Sequence, residues 1–174
     1  MRWLPFQLNP DLPASGIPRE DYVARKFGTR GKGVNERVVT AGRQVGIGFD
    51  YDKMTVQPNT LNAHRLMLYA ERLGKQDPLA EELFRAHFTE GANLTDAAAL
   101  ADIAARAGLD RSAVAAYLAG DDDRDAIAQA DVQARGAGIG GVPFFIFNHN
   151  IGVSGAQDPE TLVQAMEQAR EGGR

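Results

Sequence analysis

The sequence predicts an α/β chain in which a long helical middle separates two short stretches of strand-like character. Three observations point there. A compact aromatic and aliphatic run, Arg2 to Leu8, opens the chain. Capped helical periodicity then fills most of residues 18–133. In the last forty or so residues an apolar run, a turn, a second short run and a capped helix follow one another. With 174 residues, 44% of them hydrophobic and 24% charged, the composition is that of a soluble globular chain able to build a sizeable core.

Arg2 to Leu8 reads as a strand running into the turn-rich stretch Asn9 to Pro18. Beyond it, Tyr22, Val23, Phe27, Val34, Val38 and Val45 recur at helical intervals, and Gly28 to Gly33 divides them into two helices. Phe49 to Gln57 is short extended or loop structure. Pro58-Asn59-Thr60 supplies helix-start chemistry for Leu61 to Leu73, which stops at Gly74. Three short Ala-rich helices follow at about 78–90, 95–107 and 111–119, with Asp77-Pro78, Thr95 and Asp110 at their starts and Gly91, Gly108 and Gly120 just past their ends. A further helix spans Asp121 to Gln133, its acidic first turn matching the helix dipole. Gly136 to Gly141 leads into Val142-Pro143-Phe144-Phe145-Ile146-Phe147, a buried strand joined through Asn148-His149-Asn150 to a second strand, Ile151 to Val153. Asp158-Pro159-Glu160 starts a closing helix through Ala169.

Composition removes several function classes. The net charge is −4, with Lys and Arg scattered, which speaks against nucleic acid or an anionic membrane as partner. No apolar stretch follows a basic start and no window approaches a membrane span, so the expected location is cytoplasmic. With no cysteine there is no disulfide, zinc-thiolate site or thiol nucleophile. His64, His87 and His149 lack ligand spacing, so no metal is expected.

Three motif-like patterns fail on context. Gly136, Gly138 and Gly141 match G-x-G-x-x-G by letter, but the fingerprint needs a strand before it and a helix after it, and here that order is reversed. Asp121, Asp123 and Asp125 imitate a calcium loop, yet Ala126 stands where glycine is required and Val132 where the bidentate Glu belongs. Ser154 is one residue out of step with a nucleophile elbow and ends a hairpin, so it reads as part of the loop before the last helix.

Pro143 is the informative residue, because proline at the start of a buried strand removes a ladder donor. On local sequence it reads as a trans residue at the strand start. A cis bond would instead turn the Val142 backbone outward, toward an extended peptide or a thiol ligand. Gly141-Val142-Pro143, the apolar run, the turn, Ser154-Gly155-Ala156-Gln157 and the closing helix together resemble the C-terminal ββα half of DsbA-like thioredoxin folds. Arg2-Trp3-Leu4-Pro5-Phe6-Gln7-Leu8-Asn9-Pro10 resembles the second strand of FrnE-type members, and Pro58-Asn59-Thr60 with Ala63-His64-Arg65 resembles their helix at the inserted region.

The resemblance implies a thioredoxin-like fold with an inserted all-helical subdomain, lacking the first strand and first helix. Residues 1–57 would begin the thioredoxin-like domain, 58–120 form the helical insertion, and 121–174 supply a helix and the ββα half. It also implies a cis proline facing redox cysteines in a Cys-x-x-Cys segment ahead of the second strand. That segment is absent, so the expectation is a truncated chain or a start codon assigned too far downstream, marginal in stability or covered by a homodimer.

The function implied is that of a thiol-disulfide oxidoreductase homologue, redox-incompetent as it stands. The alternatives are a glutathione-dependent isomerase or transferase, whose ligand brings its own thiol, and a non-catalytic peptide-binding module. No catalytic residue is assigned in this chain and no cofactor, glutathione being a co-substrate of the second reading. The partner is a thiol or disulfide substrate, peptide or glutathione. By resemblance, Val142 and Pro143 hold it, Ser154 and Gln157 lie beside the pocket, and Asn59, His64, Phe6 and Asn9 line the same cleft. For Asn59 a helix cap, and for His64 a half-buried structural role, stand beside that reading.

Overall fold

The computed structural model describes residues 1–28, 33 and 35–172. Its elements are β1 (Ile17–Pro18), α1 (Arg19–Phe27), α2 (Glu36–Gln44), a 3-10 turn at Tyr51–Lys53, β2 (Val56–Gln57), α3 (Leu61–Arg72), α4 (Gln76–Phe88), α5 (Ala97–Arg106), α6 (Arg111–Ala119), α7 (Arg124–Gly136), β3 (Phe144–Phe147), β4 (Ile151–Ser154) and α8 (Pro159–Glu171). They form two compact units, Met1–Ile127 and Ala128–Arg174.

The first unit is built on α3 to α6. Leu66, Leu79, Leu100 and Val114 are fully buried together, and Ala70, Ala86, Ala101 and Ala104 fill the spaces between them. Alanine at these positions lets the helix axes approach closely while adding no rotamer entropy cost. Asp96 caps α5 by accepting from the Ala98 N–H at 2.8 Å, and Asp110 caps α6 by accepting from the Ala113 N–H at 2.7 Å. The cap of α5 is therefore Asp96 rather than Thr95. α4 begins at Gln76, which places Asp77 in its first turn instead of at the cap. Gly91, with φ +75°, follows α4, and a Cβ there would come within 2.5 Å of the Lys53 carbonyl. Only glycine fits that approach.

The most demanding group in this core is Arg65 of α3, which is fully buried. Its guanidinium donates to the carbonyls of Asp122 at 2.7 Å, Gly120 at 2.7 Å, Tyr117 at 3.1 Å and Leu118 at 3.5 Å, and to Asn62 Oδ1 at 2.9 Å. Several of these are the last carbonyls of α6 and the turn after it, where the intrahelical ladder runs out; of them the Tyr117 carbonyl also accepts from the Gly120 N–H at 3.3 Å. A cation suits the negative end of the helix dipole. It also lies 5.1 Å from the centre of the Tyr117 ring. The Tyr117 hydroxyl donates to Asp123 Oδ2 at 2.6 Å, and Asp123 pairs with Arg72 at 2.5 Å. Burial pushes the Asp123 carboxyl up, but the bonds from Arg72 and Tyr117 outweigh it and leave the group below the usual carboxylate range. Burial and the Asp123 carboxylate both push the Tyr117 phenol well above its ordinary value.

Residues 1–7 belong to neither sheet, correcting the strand expected over Arg2 to Leu8. A strand needs a ladder partner, and here the backbone of Trp3 is satisfied by a side chain instead. Its N–H donates to Gln76 Oε1 at 2.9 Å and its carbonyl accepts from Gln76 Nε2 at 3.0 Å. The indole N–H donates to Asp77 at 2.6 Å. β1 and β2 pair antiparallel, Ile17 opposite Gln57, a bridge hidden within the segments read as turn and loop. The helical stretch after Pro18 is α1 and α2, and the break between them lies partly outside the described residues, as does Val34. α7 starts three residues later than read from sequence.

In the second unit β3 and β4 form an antiparallel hairpin with Phe144 opposite Ser154 and Phe147 opposite Ile151. Asn148 and His149 both have positive φ in the three-residue connection from Phe147 to Ile151, and the Asn150 N–H donates back to the Phe147 carbonyl at 3.1 Å. The Asn148 amide donates to the Ala169 carbonyl at 3.0 Å, tying the turn to the end of α8. β3 is half-buried rather than buried: Ile146 is 48% exposed, because the strand has one neighbouring strand and not two.

Replacing Arg65 by Met should lower the unfolding free energy by about 3 kcal/mol or more, since buried carbonyls lose their donor. Arg72→Met, removing a largely exposed partner, should cost about 1 kcal/mol or less. Equal losses in urea denaturation would contradict this account of the core. His87, 7% exposed, sets a pH limit. Its Nδ1 lies 3.1 Å from the Ala92 carbonyl, and burial, reinforced by the Arg19 charge, pushes its pKa below the ordinary value against that bond. The unfolded chain then binds a proton that the native chain refuses, so stability falls as pH drops through about 6.5. Between about pH 7.5 and 5.5 the urea midpoint should fall further in the native protein than in His87→Gln.

Candidate functional site

The candidate residues fall in both units, and each group is described by itself. In the first unit Phe6 is buried, at 8% exposure, while Asn9, Asn59 and His64 are half-buried. Asn59 stands two residues before the start of α3. Its Oδ1 accepts from the Leu61 N–H at 3.0 Å, satisfying one orphan donor of the helix, and from Gln7 Nε2 at 3.3 Å. Its Nδ2 donates to the Leu12 carbonyl at 2.6 Å. Asn59 thus brings the segment from Gln7 to Leu12 against the start of α3. With both ends of its amide engaged, it acts as a positioning residue.

In the second unit Val142, Pro143, Ser154 and Gln157 come together around the open end of the hairpin. The Val142–Pro143 peptide bond is cis. The Pro143 carbonyl accepts from the Gly155 N–H at 2.8 Å, just beyond the last ladder pair, Phe144 with Ser154. Gly155 has φ +83°, a conformation that turns its N–H back toward Pro143 and that side chains resist. Gln157 Nε2 donates to the Ser154 carbonyl at 2.9 Å and closes the loop on its other side. Within the strands, the Phe144 ring lies over Gly152, where a Cβ would stand 2.9 Å from Cζ.

The result is an exposed, preorganised backbone edge. Val142 is 48% exposed, and among the described residues its N–H and C=O make no backbone hydrogen bond. Residues 142–157 contain a single ionisable side chain, His149. Such a site offers backbone pairing, one hydroxyl and one amide, but little acid–base chemistry. Ser154 is exposed, with no hydrogen bond among the described residues that would activate its hydroxyl. Among the same residues no cluster of three His, Asp or Glu could hold a metal ion. Among the described residues no helix is long and apolar enough to cross a membrane.

Sequence reading did not single out Gln7 or Gly155 as site residues. A glycine directly after a short strand was the available signal for Gly155. For Gln7 there was none, because its partner lies fifty-two positions away.

A family model described as a DSBA-like thioredoxin domain matches residues 1–167. The chain belongs to that family. Its fold is accordingly the DsbA-like thioredoxin fold, in agreement with the expectation from sequence. Among solved structures it is similar to a probable DsbA oxidoreductase from Streptomyces coelicolor, with a TM-score of 0.87 and 27% identity over 97% of this chain and 74% of that one. No curated protein matches it. The sequence contains no cysteine.

Asn59→Ala removes three hydrogen bonds at once and should lower stability by about 1–2 kcal/mol. Amide exchange should accelerate over Gln7 to Leu12 while the α4 to α6 core stays protected. Unchanged exchange in that segment would refute the positioning role.

Proposed function

We propose that this DsbA-like chain holds a thiol or disulfide substrate in extended form at the Val142–Pro143 edge and contributes no redox couple of its own. The observation that carries this reading is the fixed loop: the Gly155 N–H anchors the Pro143 carbonyl, while Val142 is 48% exposed and, among the described residues, its backbone groups make no backbone hydrogen bond. A peptide lying along that edge gains main-chain hydrogen bonds, and the neighbouring apolar run gives it a surface for side chains. Thiol–disulfide exchange needs a thiolate to attack a disulfide sulfur, and residues 1–174 contain none. Chemistry at this edge therefore depends on a thiol from elsewhere.

A second reading rests on Ser154 and Gln157, whose exposed hydroxyl and amide flank the same edge. They suit the polar backbone of glutathione, a ligand that brings its own thiol. In this version the protein orients a glutathione conjugate rather than a protein disulfide.

Calorimetry with a disulfide-linked peptide and with glutathione separates the two readings. Val142→Pro removes the backbone N–H and should weaken peptide binding about tenfold, equivalent to roughly one net hydrogen bond. Ser154→Ala should affect glutathione more than the peptide. Insulin reduction by dithiothreitol should proceed no faster with the protein than without it. Val142→Pro binding as tightly as the native chain would sink the edge assignment, and accelerated insulin reduction would sink the absence of redox chemistry.

A further inference from the structure

The hairpin of the second unit has two outer edges, and they differ. β3 and β4 form a sheet of two strands, so each has one side turned away from the other. The Gly155 N–H reaches the Pro143 carbonyl, and in an antiparallel ladder the inward-facing residues alternate from there: Pro143, Phe145 and Phe147 meet Gly155, Val153 and Ile151. Phe144 and Ile146 therefore direct their N–H and C=O groups away from β4. Among the described residues none of these four groups makes a hydrogen bond. On the outer side of β4 the Ser154 carbonyl is occupied, accepting from Gln157 Nε2 at 2.9 Å.

Exposed strand edges are ordinarily blunted by lysine, by proline or by a bulge. Phe144–Phe147 carries none of these. Pro143 lacks its donor on the side that faces β4, where its carbonyl is engaged, and so leaves the outer edge complete. The strand consists of aromatic and β-branched residues, and Ile146 is 48% exposed. From Gly136 to Asn148 there is no ionisable side chain, in a chain of which 24% is charged. Such an edge offers main-chain bonds and apolar contact, with no charge to reject a neighbour.

We propose that the outer edge of β3 pairs antiparallel with the same edge of a second copy, joining two hairpins into one four-stranded sheet about a two-fold axis at Phe145. The strand is self-complementary in that register. Phe144 of one protomer stands opposite Ile146 of the partner subunit, and the reverse, so every outward N–H and C=O of both strands finds its complement. Each such pair also sets an aromatic ring beside a β-branched side chain. A second copy suits this edge on charge. Identical surfaces oppose like to like across a two-fold axis, and this strip has no charge to oppose. The joined sheet ends on both sides at β4, where Gln157 already occupies the Ser154 carbonyl, so the pairing closes at two copies.

The test is sedimentation equilibrium of the 174-residue chain at about 1 to 100 μM, where a modest pairing affinity shows as a concentration-dependent mass. The mass should rise from 18.8 kDa toward twice that value. Ile146→Lys, which charges the edge without touching the β3–β4 ladder, should weaken association at least about tenfold. Leu73→Lys, at a 53% exposed residue of the first unit, should leave it within about twofold. Because the chain has no cysteine, Phe145→Cys introduces a sole thiol at the axis and should give a covalent dimer on mild oxidation. Ser112→Cys, exposed on α6, should cross-link far more slowly. Circular dichroism checks the fold of each variant, and the cysteine comparison decides alone if the lysine variant misfolds. A mass of 18.8 kDa throughout, undiminished association of Ile146→Lys, assembly beyond two copies, or equal cross-linking of the two cysteines would overturn the proposal. A dimer that binds no disulfide-linked peptide would support the pairing while sinking the substrate reading at Val142, so the two fail separately.

Discussion

Arg65 is the constraint around which the first unit is arranged. A guanidinium with no exposure to water carries a desolvation penalty of several kcal/mol unless its donors are matched. Here they are matched by carbonyls rather than by a carboxylate, so the partners are the end of α6 and the turn leading to α7. This fixes where α3 can sit, and Leu66 and Ala70 on the same helix then meet α4 and α5 in the packed core. Tyr117 joins the two arrangements. Its ring faces the cation, and its hydroxyl leads to Asp123 and Arg72 at the surface. One buried charge thereby sets helix position, loop conformation and the path of a polar chain to solvent.

The helices were legible because their signals are local. Caps such as Asp110, glycines at 91 and 108 with positive φ, and the alanine faces all act within a turn or two of the chain. The hairpin was legible for the same reason, through Asn148 and His149 between apolar runs. What sequence concealed is what depends on distant partners. Arg2 to Leu8 has strand composition, but whether it is a strand depends on a neighbour, and Gln76 answers its backbone instead. β1 and β2 are two residues each, too short for any periodic pattern. The expected burial of β3 failed because apolar content reports preference and not the number of covering elements.

The site was legible in part. Val142, Pro143, Ser154 and Gln157 lie around one loop because a hairpin necessarily brings its open ends together. Asn59 was recognisable as helix-start chemistry, although its hold on Gln7 and Leu12 was not. The loop combines a cis Val142–Pro143 bond with a Gly155 N–H fixed on the Pro143 carbonyl. The fold holds that edge through Gly155, bonded to the Pro143 carbonyl, and Gln157, bonded to the Ser154 carbonyl.

The reciprocal amide bonds between Gln76 and Trp3 have a consequence for motion. A strand embedded in a ladder leaves only when many hydrogen bonds break together, so its release tracks the unfolding of the sheet. The backbone of Trp3 is held by one side chain, with the Asp77 contact beside it. The hold on the opening residues therefore depends on individual side-chain contacts, each of which can be removed by a single substitution without breaking a ladder. In this protein the leading segment is held by side chains along its length, Glu71 on Arg2, Gln76 and Asp77 on Trp3 and Asn59 on Gln7, rather than by a ladder.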